Sequence, residues 1–306
     1  MKVLIILASY NGVRYIEEQI DSILIQNGVD ISLFIFDDGS SDGTIDLVNS
    51  IKMNKSIQFI ENSSPTGSAA NNFFNALQSF EDSFIEMYDY IAFADQDDIW
   101  LPDKIKAATD RLQLEKADLY MSNLILWEEK TNKKSVINKS YPKKKFDYLF
   151  EGGSAGCTYV FTTFFGKKLK KRLNNIDYKD WQFFSHDWFV YFFARLKKYK
   201  VVMDENAYIL YRVHDTNVHG QLNTFSLYAI RERLRLIKEG WYFKQAKGFV
   251  KLLNPDSDEY KIYKLYSKNY FTRLLVIFRY NFSLIRSTKK AIQFFIISLL
   301  PLRINK

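Results

Sequence analysis

Two periods of hydrophobicity alternate along the first 125 residues. "KVLIILA" (2–8), "ISLFIF" (31–36), "IQFI" (57–60), "YIAFA" (90–94) and "ADLYMSNLIL" (117–126) are short, nearly unbroken apolar runs. Such runs predict strands buried on both faces. Between them, Ile16, Ile20, Ile23 and Leu24, then Ile45, Val48 and Ile51, recur at helical spacing. The pattern predicts helices over 15–26, 44–51 and 69–80, and another beginning near Pro102, a residue suited to a first helical turn. Strands alternating with helices imply an α/β fold: a mixed, mostly parallel sheet with helices on both faces. Ligands of such sheets sit beyond the carboxyl ends of the strands.

Beyond residue 126 the pattern changes. "WEEKTNKKSVINKSYPKKKFDY" (127–148) reads as a polar connector. A Gly-rich turn, "EGGSAGCT", leads into an apolar run, "YVFTTFF", expected to be a strand. "SHDWFVYFFARLKK" is expected to be helical, and "KVVMD" and "AYILYRV" read as further strands. From Thr224 onward aromatic and basic residues recur in helical segments. The division expected is a catalytic domain over 1–220 and a helical extension over 221–306.

Charge sharpens that division. Ten of the 43 Lys and Arg residues follow Glu259, and no acidic residue does, so residues 1–259 hold 33 basic against 35 acidic residues. The overall +8 therefore belongs to the tail. Phe271, Leu274, Leu275, Phe278, Phe282 and Ile285 form an apolar stripe there, with Arg273, Arg279 and Arg286 elsewhere on the same helix. "AIQFFIISLLPL" is too short to span a bilayer. An in-plane anchor on a membrane surface with anionic lipid is the expectation; an ordinary helical subdomain is the alternative. Nucleic acid is not an expected partner, because the acidic strand ends would repel its backbone. A single cysteine, Cys157, excludes an internal disulfide, and the opening apolar run is too short for a secretory signal. Both point to the cytoplasm, peripheral to the inner face of the cell membrane.

The candidate chemistry lies at the strand ends. "FDDGSSDGT" follows the second strand; a carboxylate there can accept from a nucleobase N–H or ribose hydroxyl, though an Asx-turn and helix cap use the same residues. "ADQDDIW" gathers Asp95, Asp97 and Asp98. Asp-x-Asp suits a hard divalent cation shared with phosphate oxygens, the alternative being a solvated loop capping the next helix. In "SHDW", Ser185 is a plausible N-cap for a helix carrying Asp187 in its first turn. His186, His214 and His219 all fall late in the chain.

"SYNG", "DDGSSDGT", "DQDD" and "HDW" occur in that order over residues 1–220, and the chain resembles family 2 of the inverting nucleotide-sugar glycosyltransferases, with the GT-A fold. "DQDDIW", "SHDW" and "YRVH…NVHG" resemble its bacterial rhamnosyltransferase branch. The resemblance implies a dTDP- or UDP-sugar donor, a glycan or lipid-linked acceptor in surface-polysaccharide synthesis, and Mg²⁺ or Mn²⁺. It implies that Tyr10 and Asp38 contact the base, Asp95 the ribose or diphosphate, and Asp97 the metal with support from Asp98. Asp187 would be the catalytic base and His214 a further metal or diphosphate ligand. An arginine frequent in the family is missing from the matching segment "PTGSAANNF". A non-catalytic nucleotide-sugar-binding scaffold is the competing class.

Overall fold

The structure, a computed structural model, describes residues 1–178, 181, 184–213, 235 and 239–299. Its elements run β1 (Lys2–Ser9), α1 (Ile16–Leu24), β2 (Asp30–Asp37), α2 (Thr44–Asn54), β3 (Ile57–Glu61), α3 (Ala69–Ser79), α4 (Asp82–Ile85), β4 (Tyr90–Asp95), β5 (Ile99–Trp100), α5 (Lys104–Glu115) and β6 (Leu119–Glu128). There follow β7 (Lys133–Ile137), β8 (Val160–Thr162), α6 (Thr163–Leu173), α7 (His186–Leu196), β9 (Val201–Val213), α8 (Trp241–Phe249), α9 (Asp258–Lys268), α10 (Tyr270–Leu284) and α11 (Thr288–Ser298).

The strands form one sheet in the order β3-β2-β1-β4-β8-β6-β9-β5, with β7 added beside β6. β3, β2, β1 and β4 are parallel, as are β6 and β9, whereas β8, β5 and β7 pair antiparallel. In register, Ser9 lies beside Asp37, and Ala8 beside both Phe36 and Asp95. One edge of the parallel half thus receives the ends of β1, β2 and β4. Val3 to Leu7 are wholly buried, as are Ile91 to Ala94. That is why these strands read as continuous apolar runs.

The helix starts are local decisions. The Ser68 hydroxyl accepts from the Asn71 N–H and opens α3; Ser185 does the same for the Trp188 N–H and opens α7. "YVFTTFF" is strand only as far as Thr162, whose hydroxyl caps α6. Pro102 lies in the turn before α5, where its carbonyl accepts from the Asn27 N–H. The polar connector contains β7, a strand with exposed residues, so its sequence shows no apolar period. "KVVMD" and "AYILYRV" belong to one long strand, β9, with irregular register against β6.

The chain divides into two compact units. The first comprises Met1–Ser140, Gly153–Lys179 and Ser185–Val213; the second comprises Tyr141–Gly152, Asp180–Phe184 and His214–Lys306. Within the second unit, Phe150 packs on Tyr263, Tyr266 and Phe294, and Trp181 lies against Phe249. Arg286 is buried, and its Nε donates to Glu151 Oε1 over 3.0 Å. Here the expected stripe needs correction. Ile285 and Arg273 are buried with Arg286, while Phe271, Leu275, Phe278 and Phe282 are exposed along α10. Helical phase explains the change: residues 271, 275, 278 and 282 share one face, and Ile285 follows the last helical residue.

Phe93, at the centre of β4, packs on Phe73 and Phe161 at ring-centroid distances of 4.9 and 5.3 Å. Phe93→Ala is expected to cost about 3–5 kcal/mol of unfolding free energy, read from urea denaturation.

Candidate active site

The ends of β1 and β2 are locked to each other by short polar side chains. Asp37 accepts from the hydroxyls of Ser9 and Ser40, both at 2.7 Å, and from the Gly39 and Ser40 N–H groups. Gly39 has φ +85°, and a side chain there would press on Pro65. Asp38 is also buried. Its Oδ1 accepts from Asn62 Nδ2 and the Thr66 N–H, and its Oδ2 from the Thr66 hydroxyl and the Gly67 N–H. Four donors occupy both carboxylate oxygens. Asp38 therefore moulds the loop 62–67, and a base contacting its carboxylate directly would have to displace one of these bonds.

Tyr10 follows β1 with its side chain exposed. Its backbone is clasped by the Gln96 amide: the Tyr10 N–H donates to Oε1 at 2.8 Å and Nε2 donates to the Tyr10 carbonyl at 2.9 Å. Gln96 thereby ties the loop after β1 to the acidic turn after β4. A Cβ at Gly12 would stand 2.2 Å from Oε1 of the same amide, so a side chain there would push Gln96 from its present place.

The acidic turn separates its carboxylates. Asp95 and Asp97 are half-buried, whereas Asp98 is 1% exposed. Ligating atoms of Asp95, Asp98 and Cys157 lie within 4.8 Å of one another. Burial, with the nearby Asp97 and Asp187 charges, raises the Asp95 pKa to about 7. Burial and the charges of Asp97 and Asp95 raise Asp98 well above the usual carboxylate range. Among the described residues no hydrogen bond of good geometry reaches either Asp98 oxygen, and the Cys157 thiol and the Arg212 N–H are polar neighbours. Asp98 is thus enclosed, while Asp95 and Asp97 keep part of their surface exposed.

Two residues of this cluster carried no functional signal in the sequence. Cys157 is wholly buried, and burial beside Asp98 and Asp95 raises its thiol pKa, keeping it protonated. Lys104, the first residue of α5, is 1% exposed, with Nζ 3.3 Å from the Trp100 ring centroid. Desolvation lowers its pKa to about 7, against the pull of Cys157, Asp98 and Asp95. Lys104 is a buried amine set among acids. Its place could have been suspected only from the helical turn that follows "DIWLP".

A divalent ion fits this donor set. Hard carboxylate oxygens with raised pKa values are those that a cation would relieve of mutual repulsion. The half-buried pair Asp95 and Asp97 suits Mg²⁺ or Mn²⁺, while a protonated thiol does not.

Asp187 opens α7, and its Oδ1 accepts from the Ser185 hydroxyl and from the Trp188 N–H. The Tyr159 hydroxyl donates to the Asp187 carbonyl over 3.0 Å, fixing the first helical turn. The Asp187 charge reaches Asp95, so the two motifs, distant in sequence, share one electrostatic site. His186 is packed among rings, 4.5 Å from Phe73 by centroid. His214 and His219 lie outside the described residues.

Carboxylates gathered where parallel strands end, with a first-turn aspartate within electrostatic reach, lie on an α/β sheet of GT-A-like architecture. Solved structures share the architecture. Staphylococcus aureus TarS 1–349 in complex with UDP has a TM-score of 0.57, covering 98% of this chain and 89% of that one at 16% identity. Mannosyltransferase PcManGT from Pyrobaculum calidifontis, in complex with GDP-Man and Mn²⁺, has a TM-score of 0.55, covering 95% and 77% at 14% identity.

The sequence narrows the class. The profile described as Glycosyl transferase family 2 matches residues 4–200, and the chain belongs to that family. It is 37% identical over 253 residues to the dTDP-rhamnosyl transferase RfbG of Shigella flexneri, covering 82% of this chain and 86% of that one. Over 156 residues it is 30% identical to an Escherichia coli UDP-Glc:alpha-D-GlcNAc-diphosphoundecaprenol beta-1,3-glucosyltransferase, WfaP, covering 51% and 58%. The protein is a glycosyltransferase.

A raised carboxylate pKa means that the folded chain holds its proton more tightly than the unfolded one. The resulting stabilisation is present below the ordinary range near ~4 and is lost as pH rises through about 7 for Asp95. Asp98, raised in the same direction, follows the same sign. In chelator-treated protein Asp98→Asn is expected to raise Tm, more at pH 8 than at pH 5, in a calorimetric pH series.

Proposed function

We propose that this glycosyltransferase moves rhamnose from dTDP-rhamnose to a glycan or lipid-linked saccharide during assembly of a bacterial surface polysaccharide. The transfer is a single displacement with inversion at the anomeric carbon. The observation that carries this reading is the meeting of Asp95, Asp97 and Asp187 in one electrostatic site beside the ends of β1 and β2. The similarity to RfbG favours the donor. A UDP-hexose or UDP-N-acetylhexosamine donor is the second reading, favoured by the relative WfaP and by a TarS complex with UDP-GlcNAc.

Placement supports a role for each residue. The exposed Tyr10 ring offers a stacking face to the base, and the loop moulded by Asp38 meets its polar edge. Asp95 and Asp97 would hold Mg²⁺ or Mn²⁺, with His214 a further candidate. Such an ion supplies Lewis-acid stabilisation of the charge that develops on the departing diphosphate. Asp187 keeps Oδ1 turned to its own helix start, and Oδ2 takes the proton of the acceptor hydroxyl as that oxygen bonds to the anomeric carbon. No covalent enzyme intermediate is required. The catalytic domain is assigned to residues 1–220 and the tail to a membrane-associating extension.

A membrane surface is the proposed second partner, reached from the cytoplasmic side. Phe271, Leu275, Phe278 and Phe282 on α10 are exposed, as are Ile292 and Ile296 on α11. Arg279, Lys289 and Lys290 are exposed as well. Among the described residues no helix is long and apolar enough to cross a membrane. An in-plane contact with anionic lipid matches this combination.

Two measurements check these assignments. In a panel of nucleotide sugars with Mn²⁺, one donor, dTDP-rhamnose, should be turned over preferentially. Asp187→Ala should lower kcat by about 10²–10⁴-fold with little change in donor KM, while Asp97→Ala should also raise the KM values for donor and Mn²⁺. Full turnover in both variants would sink the mechanism. Separately, Phe271→Asp combined with Phe278→Asp should abolish co-sedimentation with anionic vesicles while leaving turnover of a soluble acceptor intact.

A further inference from the structure

Arg212, near the end of β9, is 1% exposed, and nothing in the proposed chemistry uses it. Its side chain is engaged on every edge. Nε donates to the Asp97 carbonyl over 3.0 Å, Nη1 to Glu129 Oε1, and Nη2 to Glu18 Oε2. Its carbon Cζ stands 4.7 Å from the Tyr15 ring centroid and 4.6 Å from that of Trp127. The guanidinium therefore joins four segments: the loop before α1, α1 itself, the acidic turn, and the end of β6.

The sheet explains how it gets there. β5 pairs antiparallel with β9, Ile99 opposite Leu210 and Trp100 opposite Ile209. Continuing that register brings Arg212 opposite Asp97. In the parallel register with β6, Arg212 lies beside Trp127. The Arg212 backbone N–H is in addition a polar neighbour of the Asp98 carboxylate. One residue thus holds the main chain of Asp97 through its side chain and reaches the side chain of Asp98 through its backbone.

We propose that Arg212 is a positioning residue for glycosyl transfer: through the Asp97 carbonyl it fixes the acidic turn in the orientation that holds the divalent ion and the donor diphosphate. The inference rests on the reading of Asp95 and Asp97 as the ion-holding pair. Arginine is required because a planar fork is needed to bond a carbonyl and two carboxylates while stacked between rings. Lysine would keep the charge and lose the geometry. Burying the guanidinium also means that the bond to Asp97 is made with little competition from water. Glu18 and Glu129 balance its charge, so the cation is committed to orientation rather than to neutralising Asp95 and Asp97.

The test uses Arg212→Lys, with Arg212→Ala plus added guanidinium ion as a rescue variant, in the full-length protein. Three readouts apply: hydrogen exchange of the peptide covering residues 95–101, Mn²⁺ affinity from the paramagnetic resonance of free Mn²⁺, and the split between kcat and KM. Arg212→Lys should exchange faster in the 95–101 peptide and bind Mn²⁺ about 10–100-fold more weakly, as partners of metal ligands do when lost. Its donor KM should rise more than its kcat falls, and guanidinium should restore Mn²⁺ affinity to Arg212→Ala. Arg286→Lys, a buried arginine of the second unit, serves as the control and should leave exchange at 95–101 and Mn²⁺ affinity unchanged. A folded Arg212→Lys with wild-type exchange and wild-type Mn²⁺ affinity would overturn the proposal. If wild-type protein binds no Mn²⁺, the ion-holding reading fails on its own, and the exchange result still decides whether Arg212 orders the turn.

Discussion

The active edge of this protein is organised around repulsion among carboxylates in a poorly solvated place. β4 delivers Asp95 from a strand whose preceding residues are wholly buried, and Asp98 is enclosed a short turn later. Removing acids from water raises the cost of ionising them, and their proximity raises it further. The groups packed against them are themselves out of place by ordinary rules: a protonated thiol at Cys157 and the buried amine of Lys104 over the Trp100 ring, its pKa lowered to about 7 by desolvation. A divalent cation held beside these acids would offset the cost of ionising them.

Everything that surrounds the cluster restricts motion. Asp37 accepts from Ser9 and its own turn, Asp38 from the loop 62–67, Gln96 clasps the backbone of Tyr10, and Ser185 and Tyr159 fix the first turn that carries Asp187. Most of these are short polar side chains bonded to backbone, which lose little rotamer entropy when ordered. The charged groups are thereby presented on loops that behave as extensions of the parallel strands. Positioning of this kind matters because misplacement by about 1 Å can cost transfer about 10²-fold.

Much of this was legible in the chain itself. The parallel half of the sheet announced itself because buried strands leave unbroken apolar runs; Asp38, Asp95 and Asp97 fall where those runs end, and Asp187 in the first turn of α7. What remained hidden has a common physical cause. β7 has exposed side chains and so no apolar signature, and β5 is only two residues long. Cys157, Gln96 and Arg212 act through contacts with residues far away in sequence, and a lone cysteine, glutamine or arginine has no local pattern. The resemblance supplied by "SYNG", "DDGSSDGT" and "DQDD" pointed to the acids; it carried no information about the residues that hold those acids in place.

The tail shows the same limit from the other side. Summed along the sequence, its ten basic residues after Glu259 suggested a strongly cationic helical face. Arg273 and Arg286 are spent inside the second unit, the latter on Glu151, and cannot contribute to a surface field. The exposed face keeps Phe271, Leu275, Phe278 and Phe282, with Arg279 among them. Contact with a bilayer through such a face would draw most of its strength from apolar area, about 25 cal/mol per Å² removed from water, and its lipid preference from fewer charges than the sequence advertises. Binding should then weaken only modestly as salt screens the headgroups, because the Debye length shortens the reach of the cations and leaves the aromatic contacts intact.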